Sequence, residues 1–176
     1  MEVLNFLEDY DRQLFARLFK QRASRTHLAL LKLLSRSGEG VLHALIPLAI
    51  WQLQLPGSEA ILSLILLSFA LERCLHYCLK NTLKRPRPQS AIPGLRSLGP
   101  ASNQFSFPSG HSSRAFLLAT SLVVVYGAPA LFMYVWAAAV AMSRVLLGVH
   151  YPGDTLAGAF TGSCTALFSA TLLGLI

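Results

Sequence analysis

From residue 39 to its end the chain falls into five apolar stretches, at about 39–55, 59–80, 111–127, 129–148 and 154–176. They are cut by Pro56-Gly57, by a long polar segment, by Gly127-Ala128-Pro129 and by Tyr151-Pro152-Gly153. Each stretch is close to the roughly 20 residues that an α-helix needs to cross the hydrocarbon core. Inside a bilayer the backbone finds no water, so its N–H and C=O groups must pair within the segment, as they do in a helix. The pattern predicts an all-α polytopic membrane helix bundle of about five transmembrane helices. Composition agrees, because 53% hydrophobic and 13% charged residues over 176 positions do not describe an ordinary soluble globule. In the last stretch Gly158, Ala159, Gly162, Ser163, Ala166 and Ser169 would let helices approach closely.

The first 37 residues differ from the rest. Val3, Leu4, Leu7, Leu14, Phe15, Leu18 and Phe19 recur at roughly helical spacing with charges between them, which predicts an amphipathic helix over 3–20 lying on the bilayer. Residues 27–36 form a second helix that is too short and too charged to span. We therefore divide the chain into interfacial helices at 1–37 and a membrane-embedded domain at 38–176. Glu2, Glu8, Asp9, Asp11, Arg12, Arg17 and Lys20 leave no clean apolar core for a cleavable signal peptide. Cys74, Cys78 and Cys164 lie in apolar runs that do not suit a disulfide framework, and Cys74 and Cys78, on one helix face, read as packing residues. The net charge of +7 comes mostly from residues before 37 and from 80–96, beside apolar spans. That placement points to a basic rim on anionic lipid or phosphate and away from nucleic acid.

Odd parity gives the loops sides. With five crossings, the 81–110 segment and the 149–153 turn share one face of the membrane, and the turns at 56–58 and 127–128 share the other. Three polar strings fall on the first face. In the string from Lys80 to Pro88, Pro86 and Pro88 stop the helix, so Lys80 and Arg87 can fold back toward one anion. The alternative is that Lys80, Lys84, Arg85 and Arg87 anchor at lipid headgroups. In Pro108-Ser109-Gly110-His111, Ser109 suits a helix N-cap and Gly110 lets a ligand approach, so free amides would face an oxyanion. His111 is placed in that helix's first turn to donate a proton. In the third string Ser143-Arg144 ends one span, and Asp154 can reach back to a ring nitrogen of His150. A plain capped helix and a structural His–Asp pair are the ordinary readings of the last two strings.

Taken together, the strings resemble the signature of the type 2 phosphatidic acid phosphatase family, lipid phosphatases related to the vanadium haloperoxidases. Its pattern is matched at Lys80, Arg87 and Pro88, at Pro108, Ser109, Gly110 and His111, and at Ser143, Arg144, His150 and Asp154. The likeness covers about 38–176, although many family members have six crossings. It implies that His150 attacks phosphorus, Asp154 orients it, and His111 serves as acid and then base. It also implies that Lys80, Arg87, Ser109, Gly110 and Arg144 hold the phosphate oxygens. The substrate would be a lipid phosphate, with polyprenyl (undecaprenyl) diphosphate first and phosphatidylglycerol phosphate or phosphatidic acid next. No cofactor or metal is implied, and Asp154 is the only acidic residue from 73 to 176, against the several carboxylates of a two-metal site. Transfer to a second acceptor, vanadate-dependent halide oxidation and a non-catalytic lipid-binding or lipid-moving role are the rival readings.

The same likeness implies a bacterial inner (plasma) membrane with the site facing outward, whereas the positive-inside rule would turn the basic face inward. The oligomeric state is not encoded in these patterns. Glu72, Arg73 and His76 stand within the second span, where ionisable groups are expensive; Glu72 and His76 share a face and are expected to pair, as a structural cluster or at the mouth of the site. His43 and Trp51 read as packing or interfacial residues, and 89–107 as a loop long enough to act as a lid.

Overall fold

The computed structural model describes residues 2–19, 24–100 and 103–176, the first six of them by backbone alone. The side chains of Val3, Leu4 and Leu7, together with Lys20, lie outside that description, as do residues 101–102 of the polar segment. The described chain is helical: α1 (Glu2–Leu18), α2 (Arg25–Ser37), α3 (Val41–Gln52), α4 (Ser58–Leu83), the short α5 (Pro88–Ala91), α6 (Gly110–Tyr126), α7 (Phe132–Leu146) and α8 (Pro152–Leu172). A 3₁₀ turn, Ala128–Ala130, leads into α7.

Helix α6 is the axis of the bundle. Small and apolar side chains all round it, among them Ala115, Leu117, Leu118, Ala119 and Ser121, are buried, which a helix with one wet face would not allow. Helix α8 lies against it through Gly158 and Gly162, where an added Cβ would collide with the Ser109 and Ser113 carbonyls. Buried hydroxyls join the layers: Thr120 meets Tyr134 Oη at 2.9 Å and donates to Ser163 Oγ at 3.2 Å. Ile61, Ile65, Leu118, Leu122 and Ala130 form the apolar core at the end opposite the polar strings. His43, expected to pack, is buried and donates from Nε2 to the Arg114 carbonyl at 2.6 Å, tying α3 to α6.

The outer surface is apolar. Leu66, Val135, Leu156, Phe160 and Phe168 are largely exposed on the sides of the helices, the arrangement expected where lipid replaces water. Among the described residues, α4 and the segment Ala128–Leu146 are each long and apolar enough to cross a membrane alone. Helix α3 has 12 residues and an internal Pro47, shorter than the predicted 39–55. Cys74, Cys78 and Cys164 are free and exposed on this outer surface, which corrects the expectation that Cys74 and Cys78 pack inside.

Two features seat the polar strings. Helix α4 ends at Lys84, which takes a left-handed conformation (φ 44°), and the prolines that follow keep the chain extended. Pro86 then bridges to Phe105, with Ser106 N–H donating to the Arg85 carbonyl at 2.8 Å. The segment expected to be a loop is thus partly tied to the end of α4.

Candidate active site

His150 sits in the turn between α7 and α8 and is 2% exposed. Its two nitrogens meet opposite partners. Arg87 Nη1 approaches Nε2 at 3.3 Å, and a guanidinium can only donate, so Nε2 presents its lone pair. Nδ1 therefore carries the proton, facing Asp154 Oδ2 and Ser106 Oγ, each at 3.5 Å. Burial pulls the imidazole pKa down to about 4, against the upward pull of the Asp154 carboxylate. The ring is consequently neutral at physiological pH, with a free electron pair on the side of the arginine.

Asp154 is held by its own helix. Placed in the first turn of α8, it accepts from Tyr151 N–H at 2.8 Å, from Arg85 Nη1 at 2.8 Å, and from Ser106 Oγ through a short contact. Pro152 at the start of that helix needs no hydrogen bond of its own.

Arg87, 1% exposed, is clamped as firmly. Its Nε and Nη2 donate to the Asn103 backbone and side-chain oxygens at 2.7 and 2.6 Å, and its Nη1 donates to the Val149 carbonyl at 2.7 Å. Arg144 reaches the site from the end of α7 and donates to Ser35 Oγ of α2 and, at 3.4 Å, to the Pro100 carbonyl. Its buried Nε has no hydrogen-bond partner among the described residues. The same holds for His111 Nε2, which lies 3.9 Å from Glu39 Oε1. An unpaired buried donor is expensive, and an oxyanion beside Arg144 Nε would satisfy it.

The remaining expected residues line the same end of the bundle. Ser109 caps α6, with its hydroxyl 3.5 Å from Ser112 N–H and its own N–H donating to the Asp154 carbonyl at 2.9 Å. Gly110 opens the helix beside the His76 ring. Lys80 Nζ reaches the Pro108 carbonyl at 3.5 Å. Glu72 holds Arg73 by two contacts, at 2.8 and 3.1 Å, and stands 3.7 Å from His76 Nδ1, so the expected pairing forms with Arg73 as its tighter member.

Four contributors escaped the sequence reading. Ser106 and Asn103 come from the polar segment, where no periodicity marks a functional side chain. Arg85 was grouped with interfacial anchors, yet it stacks on Tyr151 with its Cζ 4.2 Å from the ring centre and bridges Asp154 to Asp11 Oδ2, both at 2.8 Å. Burial alone would lower the Arg85 pKa, and the two carboxylates raise it. Asp11, on α1, also accepts from Gly153 N–H at 2.7 Å, so the N-terminal helix buttresses the turn that carries His150. The amphipathic stripe signalled α1, but nothing in local spacing tells where its acidic residue docks.

The structure is a polytopic membrane helix bundle that gathers two arginines, a lysine and a helix N-terminus around a buried His–Asp pair at one end of its helices. The chain belongs to the PAP2 superfamily, whose sequence pattern matches residues 61–174. It is 32% identical over 102 residues to lipid A 4'-phosphatase of Bacteroides thetaiotaomicron, covering 54% of this chain and 45% of that protein. It is 29% identical over 112 residues to undecaprenyl-diphosphatase of Sulfolobus acidocaldarius, covering 61% and 53%. The chain thus spans about half the length of these relatives. The fold is that of Aquifex aeolicus LpxE, with a TM-score of 0.79 at 22% identity over 90% of this chain and 93% of the other.

Proposed function

We propose that this chain is a metal-independent lipid phosphatase that hydrolyses a phosphate ester or diphosphate of a membrane lipid through a phosphohistidine. The observation that carries the reading is the orientation of His150, with its Nε2 lone pair beside Arg87 and its Nδ1–H turned to Asp154. In the first step Nε2 attacks phosphorus, and the P–O bond to the lipid breaks with its electron pair on the departing oxygen. His111 protonates that oxygen and then, as a base, takes a proton from the water that attacks the phosphohistidine and releases inorganic phosphate. Lys80, Arg87, Arg144, the Ser109 hydroxyl and the Gly110 amide hold the equatorial oxygens. Their pre-set positions supply the charge stabilisation that phosphoryl transfer chiefly needs.

Residues 1–37 act in this reading as surface helices and 38–176 as the phosphatase domain, with about five crossings, in a bacterial inner (plasma) membrane with the site outward. Polyprenyl diphosphate is the first candidate substrate, supported by the likeness to an undecaprenyl-diphosphatase. Phosphatidylglycerol phosphate and phosphatidic acid follow.

The test uses the purified full chain in detergent with EDTA present. Rapid quench with a ³²P-labelled polyprenyl diphosphate, labelled in its terminal phosphate, is expected to trap an acid-labile, base-stable protein phosphate. His150→Ala is expected to lose that label and to lower kcat by about 10⁴-fold or more while eluting as the wild type does on gel filtration. Near-normal turnover in that variant would remove His150 from the role of nucleophile.

A further inference from the structure

Beside the phosphate pocket, between α4 and residues 103–105, lies a cleft of about 480 Å³ whose polar walls include Arg73, His76, Lys80, Asn103 and Gln104. It adjoins the site through shared and neighbouring residues. Lys80 borders both, Asn103 is the residue that clamps Arg87, and His76 packs on the glycine of the cradle. A Cβ at Gly110 would stand 3.1 Å from His76 Cε1 and 3.3 Å from Nε2.

The cleft runs in a definite direction. Arg73, His76 and Lys80 follow one face of α4, and at about 1.5 Å per residue His76 and Arg73 lie roughly 6 and 10 Å deeper in the bilayer than Lys80. A lipid whose terminal phosphate rests at Lys80 and Arg87 has its tail pointing into the hydrocarbon. Its next group toward the tail therefore falls along Arg73 and His76. Ionisable side chains at that depth are expensive, and two features show that they are built for something beyond mutual pairing. Glu72, 1% exposed, fixes the Arg73 guanidinium from behind and leaves about a third of that side chain open to the cleft. His76, nine-tenths buried, lines the cleft with its Nδ1 held 3.7 Å from Glu72 Oε1 and its Cε1–Nε2 edge turned toward Gly110. A simple phosphate monoester would place only a neutral alcohol carbon there.

We infer that this cleft is a second anion subsite that receives the tail-proximal phosphate of a lipid diphosphate, the leaving group of the reaction. The inference rests on the phosphatase reading above and sharpens it. His150 Nε2 bonds to the terminal phosphorus, the bridging P–O bond breaks with its electron pair on the tail-proximal phosphate, and His111 supplies a proton to that oxygen. Arg73 and His76 hold the departing lipid monophosphate, and water then releases the terminal phosphate from His150. The net change is one diphosphate and one water converted to lipid monophosphate and inorganic phosphate.

The experiment compares farnesyl diphosphate with farnesyl monophosphate, which share one tail, in the detergent-solubilised full chain. The readout is the diphosphate-to-monophosphate ratio of kcat/KM. Arg73→Gln and His76→Gln are each expected to lower that ratio about tenfold or more, with partial recovery in Arg73→Lys. Gln104→Glu, on the exposed mouth of the cleft, places a negative charge there without disturbing the bundle and is expected to lower the ratio as well. A ratio that stays within about twofold of wild type in Gln104→Glu and in the folded α4 variants overturns the subsite. So does a wild type that cleaves only the monophosphate, and in both cases the phosphatase reading stands. A wild type that cleaves neither lipid overturns the subsite, and release of phosphate from phosphatidic acid in the same preparation then decides the phosphatase reading.

Discussion

The carboxylate of Asp154 is saturated with donors, and this decides what His150 can be. With Tyr151 N–H, Arg85 and Ser106 all on its oxygens, Asp154 acts as an acceptor toward the Nδ1 proton and keeps the imidazole in one tautomer. Burial outweighs that carboxylate in setting the His150 pKa at about 4. The sign follows directly: a lowered imidazole pKa leaves His150 neutral at higher pH and protonates it only as the pH falls toward 4. The acid limb of kcat/KM, corrected for titration of the substrate, is expected near that value. Asp154→Asn removes the one influence holding the imidazole pKa up, so its acid limb is expected at lower pH, with kcat reduced on the order of 10³-fold. An acid limb displaced upward in that variant would contradict the arrangement.

Among the elements, α1 is the one whose role the structure enlarges. Its Phe15 is buried against Tyr151 and Val145, its Phe19 lies over Gly148, and its Asp11 ties Arg85 to the Gly153 amide. Helix α1 thus reaches the first turn of α8, two residues from His150. Asp11→Ala is expected to lower kcat about tenfold or more and to leave KM within about twofold, because the substrate contacts are elsewhere. Arg85→Ala is expected to cost more, since it also touches Asp154, and the double variant should be no worse than Arg85→Ala alone. Additive losses in that cycle would mean the two residues act separately.

What the sequence disclosed at this scale depended on whether the signal was local. Apolar length marked α4 and α8, Ser109 and Pro152 marked helix starts, and the strings themselves marked His150, Asp154, Arg87 and Arg144. The docking of Asp11 on Arg85 spans 74 positions and leaves no periodic trace. Cys74 and Cys78 were misplaced for a related reason: in a membrane bundle an apolar run does not tell the lipid side of a helix from its packed side. In the structure the inward row of α4, Ser68, Glu72, His76 and Lys80 at four-residue intervals, is what sets its packed face apart.

At the scale of the whole molecule, the polar strings share one end of the bundle, and the apolar cluster around Ile61 and Leu118 lies at the other. The basic residues near the first belong partly to the site, which removes them as unbiased witnesses of orientation: Arg87 and Arg144 are buried, while Arg96 is exposed. Two positions report the sides without touching the site. Arg96 lies in the polar segment and Ala128 in the turn beyond α6, both exposed. In a chain carrying Cys74→Ser, Cys78→Ser and Cys164→Ser, a single helix, α6, separates them. Arg96→Cys is expected to react with a membrane-impermeant maleimide on intact cells, and Ala128→Cys only after permeabilisation. The reverse pattern would turn the end that carries the polar strings inward, toward lipids presented from the cytoplasm. Labelling of both from one side would mean that α6 does not cross, and would break the parity on which the shared face of the three strings depends.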